Sequence, residues 1–207
     1  MKKKLIIDIL MLVLMILEFS RMYMPTILHE IIGIMLFILV ILHLYFNKIY
    51  LKNISNGKYT LQRSIMLVVN IVFLLSFILS ILFGVLSSQD LLKFMNIGNM
   101  HVIKLHKMLS YVCLICTGFH LGMNFDIMVR KINKLINNKY VVLIVSFLII
   151  VCGIYSFYHL DIFNHLTGKY TFSIVMDNMV INFLEYLSIV LMVAIIISWL
   201  YKLGKRK

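Results

Sequence analysis

HEIIGIMLFILVILH, residues 29–43, is an apolar run with a histidine at each end, and HKMLSYVCLICTGFH, residues 106–120, repeats the arrangement. In both stretches the histidines are fourteen positions apart. Fourteen residues of α-helix turn through roughly 1400°, so both rings fall within about 40° of one face, and the rise separates them by about 21 Å. A hydrocarbon core is roughly 30 Å thick. Two such helices side by side set four imidazoles at two levels, one near each membrane surface.

The composition around these runs names the solvent. Of 207 residues, 62% are hydrophobic and one is proline, and the mean hydropathy is +1.01. That excludes an ordinary soluble domain. The length suits five or six spanning helices in a single membrane domain, residues 1–207, and neither GxGxxG nor GxxxxGK[ST] occurs. A net charge of +12 raises nucleic acid as a partner, but the basic residues fall in short clusters between apolar runs. That is how topology signals are distributed, so membrane lipid is the expected surrounding and nucleic acid is not. Cys113, Cys116 and Cys152 all lie inside apolar runs. Cys113 and Cys116 form a CxxC, yet Thr117 follows where covalent haem attachment needs histidine. Packing inside a helix is the plainer reading of that pair, against a redox or metal role.

Taken in order, KKK at 2–4 opens an apolar run to about Met24 that carries Asp8 and Glu18. It lacks a small-residue cleavage site, so it reads as a retained first helix, not a signal peptide. Arg21 and Pro25 mark its end. Further helices are expected over about 26–46, 64–86, 101–124, 140–158 and 179–201, with a turn at Asn56-Gly57. The expected fold is an all-α integral membrane protein of six transmembrane helices, the second to fifth forming a four-helix core.

Fifteen of the twenty lysines and arginines fall at the N-terminus, in the second and fourth loops and in the C-terminal tail. The positive-inside rule therefore places both termini in the cytoplasm of a multi-pass cell-membrane protein. On this topology the two histidine helices run parallel, from outside to inside. His29 and His106 then share the outer level, and His43 and His120 the inner one.

Ionisable groups at membrane depth are costly and are functional candidates by default. A zinc site needs several ligands converging at roughly 2.0–2.3 Å from one point, which histidines about 21 Å apart on a helix do not supply. A haem iron needs only two trans nitrogens, so two b-type haems between His29 and His106 and between His43 and His120 fit the pattern. Gly33, one turn from His29, and Gly118 and Gly122, flanking His120, allow two readings. Small residues let a flat macrocycle approach a backbone, and they also serve tight helix packing. Arg21, Lys104 and Lys107 cluster near the outer level, as propionate partners or as solvated helix ends. Glu18 is placed to pair with Arg21 at i, i+3, and Asp8 has no evident role. His101 reads as a surface residue. His159 and His165 flank an external loop, either solvated or helping a partner to dock.

The string HEIIGIMLFILVILHLYFN resembles the HE-x-x-G…HL-x-x-N helix of the flavinylation-associated cytochromes, small proteins of the ferric-reductase-like transmembrane superfamily. LFGVLSS, residues 82–88, resembles the Ser-Gly-containing end of that family's next helix, with Phe83 where serine is common. LHKMLSYVCLICTGFHLGMNF, residues 105–125, resembles its second histidine helix. The family often reads HLGLHW there, and Asn124-Phe125 replaces the final His-Trp, so any role of that extra histidine is absent. The likeness is strongest over residues 26–125 and covers most of the chain.

The resemblance implies transmembrane electron transfer, with His29, His43, His106 and His120 as haem ligands, in association with proteins that carry covalently bound flavin outside the membrane. Unlike the larger ferric reductases and NADPH oxidases, the chain carries no flavin and nicotinamide domain. Its expected donor is a membrane quinol or a separate reductase, and its expected acceptor an extracytosolic flavoprotein, with the loop from His159 to Asn178 as a docking surface through Asp161 and His165. From another class, a non-redox membrane anchor or transporter subunit would use the same histidines only to bond across helices.

Overall fold

The computed structural model describes residues 2–135, 139–169 and 178–204. The described residues form helices and connections, without a strand: α1 (Lys2–Glu18), α2 (Thr26–Phe46), α3 (Lys48–Lys52), α4 (Leu61–Val85), α5 (Met100–Leu135), α6 (Lys139–His159), α7 (Ile162–Leu166) and α8 (Met179–Gly204). Five stretches are long and apolar enough to cross a membrane: Thr26–Phe46, Leu61–Val85, Met100–Asn124, Tyr140–His159 and Met179–Leu203. α1, with 17 residues, stands at the short end of the spanning range of roughly 17–25.

Local chemistry sets the helix ends that matter here. Pro25 stands immediately before α2 in extended geometry, and its carbonyl accepts the amide of Leu28 at 3.0 Å. Asn47 closes the same helix, its backbone N–H and its side-chain amide both donating to the His43 carbonyl, at 3.0 and 2.9 Å. α2 thus ends one turn beyond His43. Thr60 caps α4, its hydroxyl accepting the amide of Arg63. Two boundaries depart from the sequence expectation. The first helix stops at Glu18, and a short 3-10 turn, Arg21–Tyr23, fills the space to Pro25. α5 runs on to Leu135, because RKINKL contains neither glycine nor proline to break it.

α5 is the central helix, packed on α4 along one side and on α8 along another, while α6 lies against α8. Close backbone approach makes these contacts. A Cβ on Gly118 would sit 2.6 Å from Val193 Cβ, one on Gly122 2.6 Å from the Ala194 carbonyl, and one on Gly153 2.5 Å from Met192 Cβ. Helices in lipid gain little from apolar burial against each other and associate through such close van der Waals contact. The buried centre holds Ile16, Leu114, Ile189, Val190 and Ala194. Of the other long helices, α2 packs closely only on α1. Between α2 and the α4–α5 pair lies an open slot, and this slot positions the site.

Candidate metal centres at two depths

The structure brings the four histidines together in two pairs. His29 of α2 faces His106 of α5 with ring centres 6.2 Å apart and planes at 89°. His43 faces His120 with ring centres 6.3 Å apart and planes at 71°. Two imidazoles on opposite sides of one iron, each with a metal–nitrogen bond of roughly 2.0 Å and about 1.1 Å from nitrogen to ring centre, have centres roughly 6.2 Å apart. The observed spacing fits a haem iron at both levels. Among the described residues no group of three or more His, Cys, Asp or Glu side chains converges on a metal position.

Each ring has its Nδ1 beside an oxygen. Glu18 Oε2 stands 2.8 Å from His29 Nδ1, off the line of a good hydrogen bond, and Glu18 Oε1 is buried without a donor. Asp8 Oδ1 lies 2.8 Å from His43 Nδ1. The Ser80 carbonyl lies 2.8 Å from His106 Nδ1, and Asn70 Oδ1 2.9 Å from His120 Nδ1. A hydrogen-bond acceptor at Nδ1 of His43, His106 and His120 fixes the tautomer and leaves Nε2 able to bind a metal, as metal-bound histidines are held. One amide competes for such a nitrogen: Asn47 Nδ2 is 3.3 Å from His43 Nε2.

A cavity of about 540 Å³ occupies the end of the slot around His29 and His106, within the range of small-molecule and cofactor sites. His29, His106, Gly33, Arg21 and Lys107 line it, with Leu36, Phe77 and Cys113 toward mid-depth. Gly33 faces open space, where a Cβ would meet no atom within 4 Å. Gly84 is the glycine that closes on one of the paired rings, since a Cβ there would lie 3.1 Å from His106 Cε1. Gly118 stands against Val193 of α8 and is not among the lining residues, so its missing side chain serves helix packing. Arg21 Nη2 donates to Thr26 Oγ1 at 2.7 Å, at the mouth of the cavity. Lys104 instead packs its terminal carbon against Gly168, after α7.

Sequence reasoning missed what holds the histidines. The expected Glu18–Arg21 pair gives way to Glu18–His29, because α1 and α2 form an antiparallel hairpin. Asp8 and Glu18 are ten positions apart where His29 and His43 are fourteen, so their pairing is set by how α1 and α2 pack and not by a matching spacing in the sequence. Glu30 was also unassigned. It accepts from Ser88 Oγ and from the amides of Gln89, Asp90 and Leu91, pinning the loop after α4 beside His29. Cys113 bonds Ser76 across the α4–α5 contact at 3.3 Å, which is a packing role.

The remaining histidines lie outside these pairs. His101 is exposed, and His159 Nδ1 meets Glu185 Oε1 at 2.9 Å. His165, expected at a docking surface, is only 3% exposed and stacks on Tyr111 with ring centres 4.4 Å apart and planes at 2°. The external loop is described only to residue 169 and again from 178, so the rest of it lies outside the described residues.

Fold and site together define an all-α chain with several apolar helices of membrane-spanning length and paired histidines at two depths between two of them. No protein-family model matches the sequence, and comparisons with curated proteins and with solved structures gave no match.

Proposed function

We propose that this chain is a di-haem b-type cytochrome of the flavinylation-associated kind, carrying electrons across the cell membrane between two bis-histidine sites. The observation that carries the proposal is the double coincidence of ring spacing, 6.2 Å at one level and 6.3 Å at the other, with an oxygen beside Nδ1 of every ring. Structural histidines that merely bridge helices have no reason to stand off at one metal-bridging distance twice.

In this reading α1 is the sixth span, both termini are cytoplasmic, and His29 and His106 form the outer site. When bound, the haems supply one-electron oxidation and reduction at iron. The chain's residues do the rest. His29 with His106, and His43 with His120, would hold the two haems, and a haem held by two histidines would favour electron transfer over oxygen activation. Arg21 and Lys107 offer cations where outer propionates would lie, and Gly33 leaves room for the ring. Leu36, Phe77 and Cys113 separate the two levels with apolar packing that keeps water from the path. A membrane quinol or separate reductase is the donor, and an extracytosolic flavoprotein the acceptor.

Purified protein should give a low-spin b-type reduced-minus-oxidised spectrum with two haems per chain. Protein reconstituted with excess haem that binds none would refute the reading and leave the non-redox subunit.

A further inference from the structure

The four Nδ1 partners are not equivalent. The two α5 histidines face neutral acceptors, the Ser80 carbonyl and the Asn70 side-chain oxygen. The two α2 histidines face carboxylates, Glu18 at the outer level and Asp8 at the inner one, both from α1. Glu30, the other acid near His29, is occupied by one hydroxyl and three loop amides. Among the described residues, every close carboxylate–ligand contact in the two pairs thus comes from one helix.

We propose that Glu18 and Asp8 are positioning residues by which α1 sets the reduction potentials of the outer and inner haems, acting through His29 and His43. The inference rests on the di-haem reading above and deepens it. Reducing a haem iron takes up one electron and adds one negative charge to the site. A negative charge beside a ligand ring favours the oxidised iron, and a hydrogen bond from Nδ1, which His43 makes to Asp8 and His29 does not make to Glu18, also strengthens the imidazole as an electron donor. Both effects lower the midpoint. Their sizes differ because water screens exposed charges. The Glu18 side chain is 18% exposed and that of Asp8 47%, so the outer haem feels its carboxylate more. Arg21 and Lys107 line the same outer cavity and oppose Glu18 there.

The test uses the full-length chain in lipid nanodiscs, with haem content measured alongside an optical redox titration. His106→Ala and His120→Ala variants identify which transition belongs to which level. Glu18→Gln should keep two haems and raise the outer midpoint alone, changing the reduced-to-oxidised ratio about tenfold at fixed potential, roughly 59 mV for one electron. Asp8→Asn should raise the inner midpoint by less, and Glu18→Asp should return the outer value toward the parent. A merely structural role predicts haem loss without a directed shift. If Glu18→Gln fails to load, Asp8→Asn decides, since its half-exposed side chain is replaced without burying a new group. Two haems with an unmoved or lowered midpoint would overturn this inference alone. Parent protein that binds no haem would instead overturn the function on which it rests.

Discussion

Asn70→Leu tests the inner site without touching a ligand. Asn70 Oδ1 accepts from His120 Nδ1 at 2.9 Å, and its Nδ2 donates to the Tyr50 hydroxyl at 3.1 Å, which fixes the way the amide faces. Leucine keeps the branching of asparagine at Cγ, though it is larger, and it removes the acceptor. A buried N–H left without a partner costs about 1–3 kcal/mol. Loss of an outer-shell partner of a metal-bound histidine typically weakens metal binding about 10–100-fold, or roughly 1.4–2.8 kcal/mol. The two routes agree. The assay is haem titration into apoprotein carrying His106→Ala, in which only the inner site fills, with and without Asn70→Leu. Affinity should fall by that factor, and Tyr50→Phe should cost less because His120 keeps Asn70 Oδ1 as its acceptor. Unchanged affinity, or an equal fall at the outer site in His120→Ala protein, would refute the argument.

Gly84→Ala should disturb only the outer haem spectrum, since its Cβ would lie 3.1 Å from His106 Cε1 and push the ring by a few tenths of an ångström. Gly118→Ala should leave both spectra alone and lower the thermal unfolding midpoint, at a cost of about 1–3 kcal/mol, because its Cβ would overlap Val193 at 2.6 Å. Near-perpendicular rings, at 89° and 71°, should give strongly anisotropic low-spin electron paramagnetic resonance signals at both levels; signals typical of parallel imidazoles would show that the planes turn on haem binding. In protein freed of native cysteines, Asn56→Cys should react with an impermeant label only from the cytoplasm and Thr167→Cys only from outside, and the reverse would exchange the inner and outer levels.

Much of this arrangement was legible in the sequence because it follows from helical period and bilayer thickness alone. The spacing from His29 to His43 and from His106 to His120 fixed the two levels, and the lysine and arginine clusters made their helices parallel. What stayed hidden depends on rotation about helix axes. Nothing in a periodic pattern says that Gly118 turns toward α8 while Gly84 closes on His106, since both lie in apolar runs beside a histidine. Ser80 contributes its backbone carbonyl, which carries no sequence signal. Asp8 and Glu18 were visible as costly charges in an apolar helix, but pairing them needed the α1–α2 hairpin register. Proximity in sequence favoured Arg21 for Glu18, and the tertiary contact with His29 took precedence.

α7 also carries a titratable contact, at His165. Burial of its ring between α7 and α5 pushes its pKa below the ordinary value of about 6.5; nearby Lys107 adds to the depression, and Asp161 opposes it. The folded form therefore binds fewer protons than the unfolded one between the two pKa values. Stability from this packing is full above about pH 6.5 and is lost as pH falls through the folded-state value. Because His165 stacks flat on Tyr111 and Tyr111 lines the outer cavity, protonation loosens α7 from α5 directly beside that site. Hydrogen exchange of the α7 amides, corrected for intrinsic rates, should show protection at about pH 7.5 that falls by about pH 5. His165→Phe keeps an aromatic ring on Tyr111 and removes the titration, so its protection should stay level across that range. Parent protein with equally level protection would show that His165 accepts its proton without leaving the stack, and the external cap would then be insensitive to pH.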